Sequence, residues 1–374
     1  MVVDEVYRRL QQHLDHLPQR FPATASGAEI RILQRVFTPE EAGLALELSA
    51  FPEPATVIHR RVAGTVTLET LVAALDRMAA RGAIHRIESK GVVKYLLAPF
   101  VVGFYERQLP WLTADFERDV LQYFEEALGE ALPTKKTTQM RTVPVNVDVT
   151  PGRDVGTYDD IRAYLRASTG PFAVMDCICR LGKSLVGHVC EHTARMQTCL
   201  TFGPAAEGMV QTGVARFVSK DEMLGLLDEA DHDGLVLQPE NTQTPLFVCC
   251  CCGDCCGVLT NAKRLPEPAA YFSTNYLAAV HAESCEGCGT CLTRCRMDAV
   301  TLEPGHAEIA ATHCIGCGLC VGTCPSGSIT LTKKAHPRVP PKNTPALYLQ
   351  QYRDRYGTLG LAAAAGKHLL GLKV

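Results

Sequence analysis

Cysteine spacing constrains this chain more than any other feature. One stretch reads Cys285-Glu-Gly-Cys288-Gly-Thr-Cys291-Leu-Thr-Arg-Cys295, and a second reads Cys314-Ile-Gly-Cys317-Gly-Leu-Cys320-Val-Gly-Thr-Cys324, followed by Pro325. The pattern C-x2-C-x2-C-x3-C is therefore written twice. The halves agree beyond the cysteines: Asp298-Ala-Val-Thr-Leu302 answers Gly327-Ser-Ile-Thr-Leu331, so each half reads as a loop followed by a short strand. Thiols at every third position bring three sulfurs to one side of a tight loop. The interleaved Gly287, Gly289, Gly316 and Gly318 allow the backbone dihedrals that such a wrap needs.

A loop of this kind suits three corners of an iron–sulfur cubane, with backbone N–H groups turned toward its sulfurs. Zinc or disulfides are the competing uses, and eight cysteines in one repeated register speak against both. The segment resembles the bacterial two-cluster ferredoxin domain, in which the fourth cysteine of each run serves the other cluster. The resemblance implies Cys285, Cys288, Cys291 and Cys324 on one [4Fe-4S] cluster and Cys314, Cys317, Cys320 and Cys295 on a second. One departure is Arg296, where the first run would usually carry proline; its charge is expected to raise that cluster's potential.

A chain of 374 residues has room for two or three domains. Its net charge of −3 gives no global argument for nucleic acid or an anionic membrane. The opening Met1-Val-Val-Asp-Glu-Val is unlike an export signal, so the 18 cysteines point to metal binding in a reducing cytoplasm. No apolar run reaches the roughly 20 residues of a membrane span; the best, Leu359 to Leu372, is interrupted by Lys367 and His368.

The expected fold class is α+β: a winged-helix-like domain plus a helix over 1–132, a Cys-rich metal-binding mixed α/β domain over 140–262, a ferredoxin-like dicluster domain over 270–334, and an extended arm with helices over 335–374. In the first, Val6, Leu10, Leu14 and Leu17 recur at helical spacing up to Pro18. Thr38-Pro39-Glu40-Glu41 reads as a capping box with proline in the first turn. A second helix covers Pro54 to Val62, and a third, capped by Thr67, runs to Gly82. Ile84 to Leu97 reads as a hairpin turning at Ser89-Lys90-Gly91. Three helices and a wing resemble a winged helix-turn-helix. The third helix sets Glu69 and Asp76 against Arg77 and Arg81, too neutral for phosphate recognition, so protein docking is expected rather than DNA binding. Trp111 to Ala131 reads as one further helix, with Trp111, Phe116, Val120, Phe124 and Leu128 on its packed side. Pro133 to Thr142 reads as a linker with Lys135, Lys136 and Arg141.

The middle region opens with Val143, Val145, Val147 and Val149 alternating as in a strand, a helix from Tyr158 to Ala167, and a strand at Phe172. It then carries Cys177-Ile-Cys179-Arg180, Gly187-His188-Val-Cys190-Glu191-His192, Cys199, and the run Cys249-Cys250-Cys251-Cys252-Gly253-Asp254-Cys255-Cys256. Ser219 caps a helix through Ala230, and Gly234 to Leu237 reads as a strand. Ten cysteines with His188, His192 and Asp254 exceed a structural need. The candidate ligands are Cys177, Cys179, Cys190, Cys199, Cys249, Cys251, Cys252, Cys255 and Cys256, holding a further [4Fe-4S] cluster or zinc. Alternation in a strand puts Cys249 and Cys251 on one face and Cys250 on the other, and groups Cys177 with Cys179.

Together with the repeat behind it, this region resembles ferredoxin-type iron–sulfur proteins of anaerobic bacteria and archaea, which share a Cys-x-Cys-Arg element and a Cys-rich run before the dicluster domain. The resemblance implies electron transfer within a larger oxidoreductase complex. No dinucleotide or phosphate-loop motif occurs, nor any nucleophile–base–orienter set, so no catalytic residue is expected. The expected function is an electron-transfer protein with a redox partner. A reductase with an open metal corner and a redox-sensing DNA-binding regulator are its rivals.

Overall fold

The computed structural model describes residues 3–62, 64–128, 131, 136–145 and 157–374. The structure is α+β and divides into two compact units, 1–136 with 348–374 and 137–347. The Cys-rich stretch 140–262 and the ferredoxin-like stretch 270–334 thus share one unit, and the segment 335–374 is divided between the two.

In the first unit the helix Val3–Asp15 buries Val6, Leu10 and Leu14 as one stripe, the face that 3.6-residue spacing puts together. The helix Pro39–Ala45 begins with the expected reciprocal cap: Glu41 N–H donates to Thr38 Oγ1 at 3.2 Å and Thr38 N–H donates to Glu41 Oε2 at 2.9 Å. Helices Ala55–Arg61 and Leu68–Ala80 follow, the second capped by Thr67. Strands β1 (Glu53–Pro54), β2 (Ile84–Ser89) and β3 (Val92–Leu97) form a sheet in the order β1-β3-β2. Lys90 and Gly91 both have positive φ, as a two-residue hairpin turn of matching twist requires.

The expected helix from Trp111 to Ala131 is broken. Thr113 caps a new helix, Ala114–Tyr123, by accepting from Phe116 N–H. Trp111 belongs to the preceding 3-10 turn Glu106–Trp111 and stays exposed, while Phe116, Val120 and Phe124 are buried. The side chain of Leu128 lies outside the described residues. At the other end of the chain, the helix Thr344–Leu369 is interrupted at Gly357 (φ 70°). From Tyr348 onward this end of the chain belongs to this unit: Arg355 donates to the carbonyls of Asp15 and Leu17, and Lys373, beyond the helix, to that of Leu46.

The second unit is built on a five-stranded sheet of β4 (Phe172–Asp176), β5 (Gln197–Phe202), β6 (Arg216–Val218), β7 (Val236–Pro239) and β8 (Phe247–Cys251), ordered β6-β4-β5-β8-β7 with antiparallel neighbours. Val174, Leu200, Leu237 and Val248 bury its centre. Residues 139–142, expected as linker, lie against this sheet instead: Met140 bridges Glu240, and Val143, expected in a strand, bridges Leu237. Arg141 is buried in an ion pair with Asp159, which fixes the segment. Val143 and Val145 are buried, and Val147, Val149 and Lys135 lie outside the described residues. The helix expected from Tyr158 is Ile161–Ala167, after a 3-10 turn at Thr157–Asp159. Ser219 caps the helix Lys220–His232 as expected.

The repeated segment adds β9 (Tyr276–Val280), β10 (Val300–Glu303), β11 (His306–Ile309) and β12 (Ile329–Lys333), paired β9 with β12 and β10 with β11. Both halves of the repeat turn into their strand through a left-handed residue at the matching position, Asp298 (φ 53°) and Gly327 (φ 63°). Two arginines fasten the first half to the sheet domain. Arg294 donates to the carbonyls of Asp231 and His232, and Arg296 to those of Asp233 and Gly234, so cations close the carbonyl end of helix Lys220–His232. The arm after Lys334 is extended and strapped down: Arg338 N–H donates to Asn275, and Gln243 donates to the carbonyls of Pro340 and Pro341.

Candidate metal centres

The eight cysteines of the repeat gather into two cavities. One is lined by Cys285, Cys288 and Cys291 together with Cys324, and the other by Cys314, Cys317 and Cys320 together with Cys295. Each loop therefore supplies three thiols to its own cavity and sends its fourth to the other. The donor set suits a thiolate-ligated cluster, and the backbone leaves no slack around it. At Gly316, φ is +66° and a Cβ would stand 2.3 Å from the carbonyl oxygen of Tyr276, so only glycine allows the loop to close there.

The two cavities differ in electrostatics. In the first, Cys288 is exposed and Cys285 and Cys324 are half-buried. Backbone N–H groups of Gly287 and Ala307 pull the Cys285 thiol below its usual pKa. Burial works against Cys324, but the hydroxyls of Ser328 and Ser326 and nearby N–H groups bring it down to about 7. In the second cavity, burial pushes Cys317 up and Cys320 up to about 12. Arg296 also lines this second cavity. Its position beside Cys295 and its bonds to the helix carbonyls account for arginine where proline was expected.

In the sheet domain the structure sorts the cysteines in a way spacing did not reveal. Cys177 and Cys179 are not strand neighbours; Cys177 caps the helix Ile178–Leu185, and its first turn brings the two thiols into contact. Cys251 hydrogen-bonds both Cys249 and Cys256, so Cys249 and Cys251 do share a face of β8. Cys199 lies opposite Cys249 in the β5–β8 register. Cys190 lies in the loop after the helix Ile178–Leu185. It joins Cys252 and Cys255, and with them Asp254, a residue not counted among the expected ligands. The signal for Asp254 was its place inside a Cys-x2-Cys loop. The Cys255 thiol, against burial and with help from Arg180, brings Cys252 down to about 5. Burial opposes ionisation of Asp254, but Glu191 N–H, Cys252 and His188 hold it well below the usual carboxylate range.

On the helix Leu68–Ala80 and at its end, Arg81 pairs with Glu41, and Asp76 with Arg86. Among the described residues no helix is long and apolar enough to cross a membrane.

These features define an iron–sulfur class of protein. Residues 284–329 match the family model of the 4Fe-4S dicluster domain, the stretch that holds both four-cysteine cavities, and a second cysteine-rich region precedes it. No curated protein and no solved structure matches the chain significantly.

Proposed function

We propose that this chain is an electron-transfer protein that relays single electrons through two [4Fe-4S] clusters and a further centre to or from a partner oxidoreductase. The observation that carries this reading is the exchange of fourth cysteines between two four-thiol cavities. Cys285, Cys288, Cys291 and Cys324 hold the first cluster; Cys314, Cys317, Cys320 and Cys295 hold the second. Bound there, each cluster would supply a one-electron redox couple.

The chain's own groups set direction and potential. Ala307 N–H donates to Cys285 at 3.4 Å and Ala299 N–H to Cys295 at 3.3 Å, and such bonds favour the more negative, reduced state. The first cavity, with Cys288 exposed, is the entry or exit for the partner. The second is the inner station, next to Arg296 and the sheet domain. The thiols of Cys177 with Cys179 and of Cys251 with Cys249 and Cys256 are hydrogen-bonded neighbours, and would hold the further iron–sulfur centre. The winged-helix-like first unit docks the protein to its partner.

Anaerobic purification followed by iron and sulfide analysis and EPR-monitored reduction tests this reading. More than about eight irons per chain are expected, eight being the content of two [4Fe-4S] clusters. Cys314→Ala should lose the second cluster and stop transfer. A variant that passes electrons at the normal rate would overturn the assignment.

A further inference from the structure

We propose that Cys190, Cys252, Cys255 and Asp254 bind a single zinc ion, a site distinct from the two four-cysteine cavities. One donor atom from each lies within 4.8 Å of the other three. Around one zinc ion, Zn–S bonds of about 2.3 Å and Zn–O bonds of about 2.0 Å place neighbouring donors roughly 3.5–3.8 Å apart. The Cys190 Sγ to Asp254 Oδ1 separation is 3.6 Å. A cubane carries its ligand sulfurs on the outside of a four-iron core, much farther apart than donors around one ion. The eight cysteines of the two cavities form no such tight group, among the described residues; these four side chains do.

The surroundings are those of a built site. Asp254 has its Oδ2 occupied by Glu191 N–H at 2.9 Å and His188 Nε2 at 3.1 Å, which leaves Oδ1 turned toward Cys190. Outer partners of this kind orient ligating carboxylates in metal sites. Three thiolates and a carboxylate around a divalent ion leave a net charge of −2. Arg180, buried, donates to Cys252 Sγ at 3.4 Å, and Lys183 donates to the Asp254 carbonyl at 2.7 Å, so two cations stand against it. The ligand set ties the loop after the helix Ile178–Leu185 to the end of β8. It also fixes Gly253, where a Cβ would stand 2.8 Å from the carbonyl oxygen of Arg296. The zinc loop therefore rests directly on the segment that follows Cys295.

Zinc K-edge absorption on the full chain, purified without oxygen from zinc-supplied medium, tests the site without altering the protein. One zinc per chain is expected, with three sulfur neighbours and one oxygen. Four sulfur neighbours, or no zinc at all, would overturn the proposal. Cys252→Ala should lose that zinc and keep the iron of the unaltered chain; loss of iron with zinc retained would place a cluster there instead. Iron content and zinc content are read separately, so failure of the electron-transfer reading leaves the zinc result standing.

Discussion

At Gly316 the left-handed backbone and the Tyr276 carbonyl act on one atom, and a single methyl group is enough to test the cavity behind them. Gly316→Ala should displace the loop bearing Cys314, Cys317 and Cys320 and remove about four of the irons of a dicluster protein, measured by metal analysis. Gly322→Ala, in the same run but with open space beside it and no positive φ, should retain them all. A second residue with a measurable consequence is Glu240. Burial raises its carboxyl from 4.5 to about 7, although Thr344, Leu246 N–H and Thr242 donate to it. A folded-state pKa above the unfolded one means that the folded chain holds this proton more tightly. That contribution is complete below pH 4.5 and is lost as the pH rises to about 7. The shift corresponds to about 3 kcal/mol. Glu240→Gln should therefore gain on the wild type by about that amount between pH 4.5 and 8 in chemical unfolding, and parallel pH profiles would contradict it. The Gly316 position was legible in the sequence as a glycine between ligands. Glu240 was not, because burial of a carboxylate depends on what folds over it.

At the scale of elements, the join between the repeat and the sheet rests on Arg294 and Arg296 at the end of the helix Lys220–His232. Hydrogen bonds to a charged group contribute about 1.5–3 kcal/mol each. Restoring the residue expected at that place, Arg296→Pro, should thus destabilise the unit by at least about 2 kcal/mol, read as a lower denaturant midpoint. The alternation along β8 gives a second contrast. Cys251→Ala should lower the iron content, since its thiol touches Cys249 and Cys256, whereas Cys250→Ala on the opposite face should leave it unchanged. That alternation could be read from the sequence because successive strand residues face opposite ways. The Cys177–Cys179 contact was expected for the wrong reason: a helix start, not a strand, brings those thiols together.

For the whole molecule, the candidate metal ligands all fall within 137–347, while the first unit draws on 1–136 and 348–374. Stripping iron and zinc by chelation should accelerate amide exchange throughout 137–347, followed by mass spectrometry, and leave the buried stripe Val6, Leu10 and Leu14 protected. Equal loss of protection in both units would show that their stabilities are linked.

The sequence by itself determined the dicluster segment, the helix caps at Thr38, Thr67 and Ser219, the hairpin at Lys90-Gly91 and the two faces of β8. Each rests on residues close together in the chain, where spacing alone fixes geometry. Only the tertiary structure decided that Cys190 meets Cys252 and Cys255, that Asp254 joins them, that Arg141 buries against Asp159 rather than lying in a linker, and that the C-terminal helix belongs with the N-terminal residues. Those pairings join distant stretches of chain, and which of many similar thiols and charges meet is set by the sheet order and by what each must bury, not by local pattern.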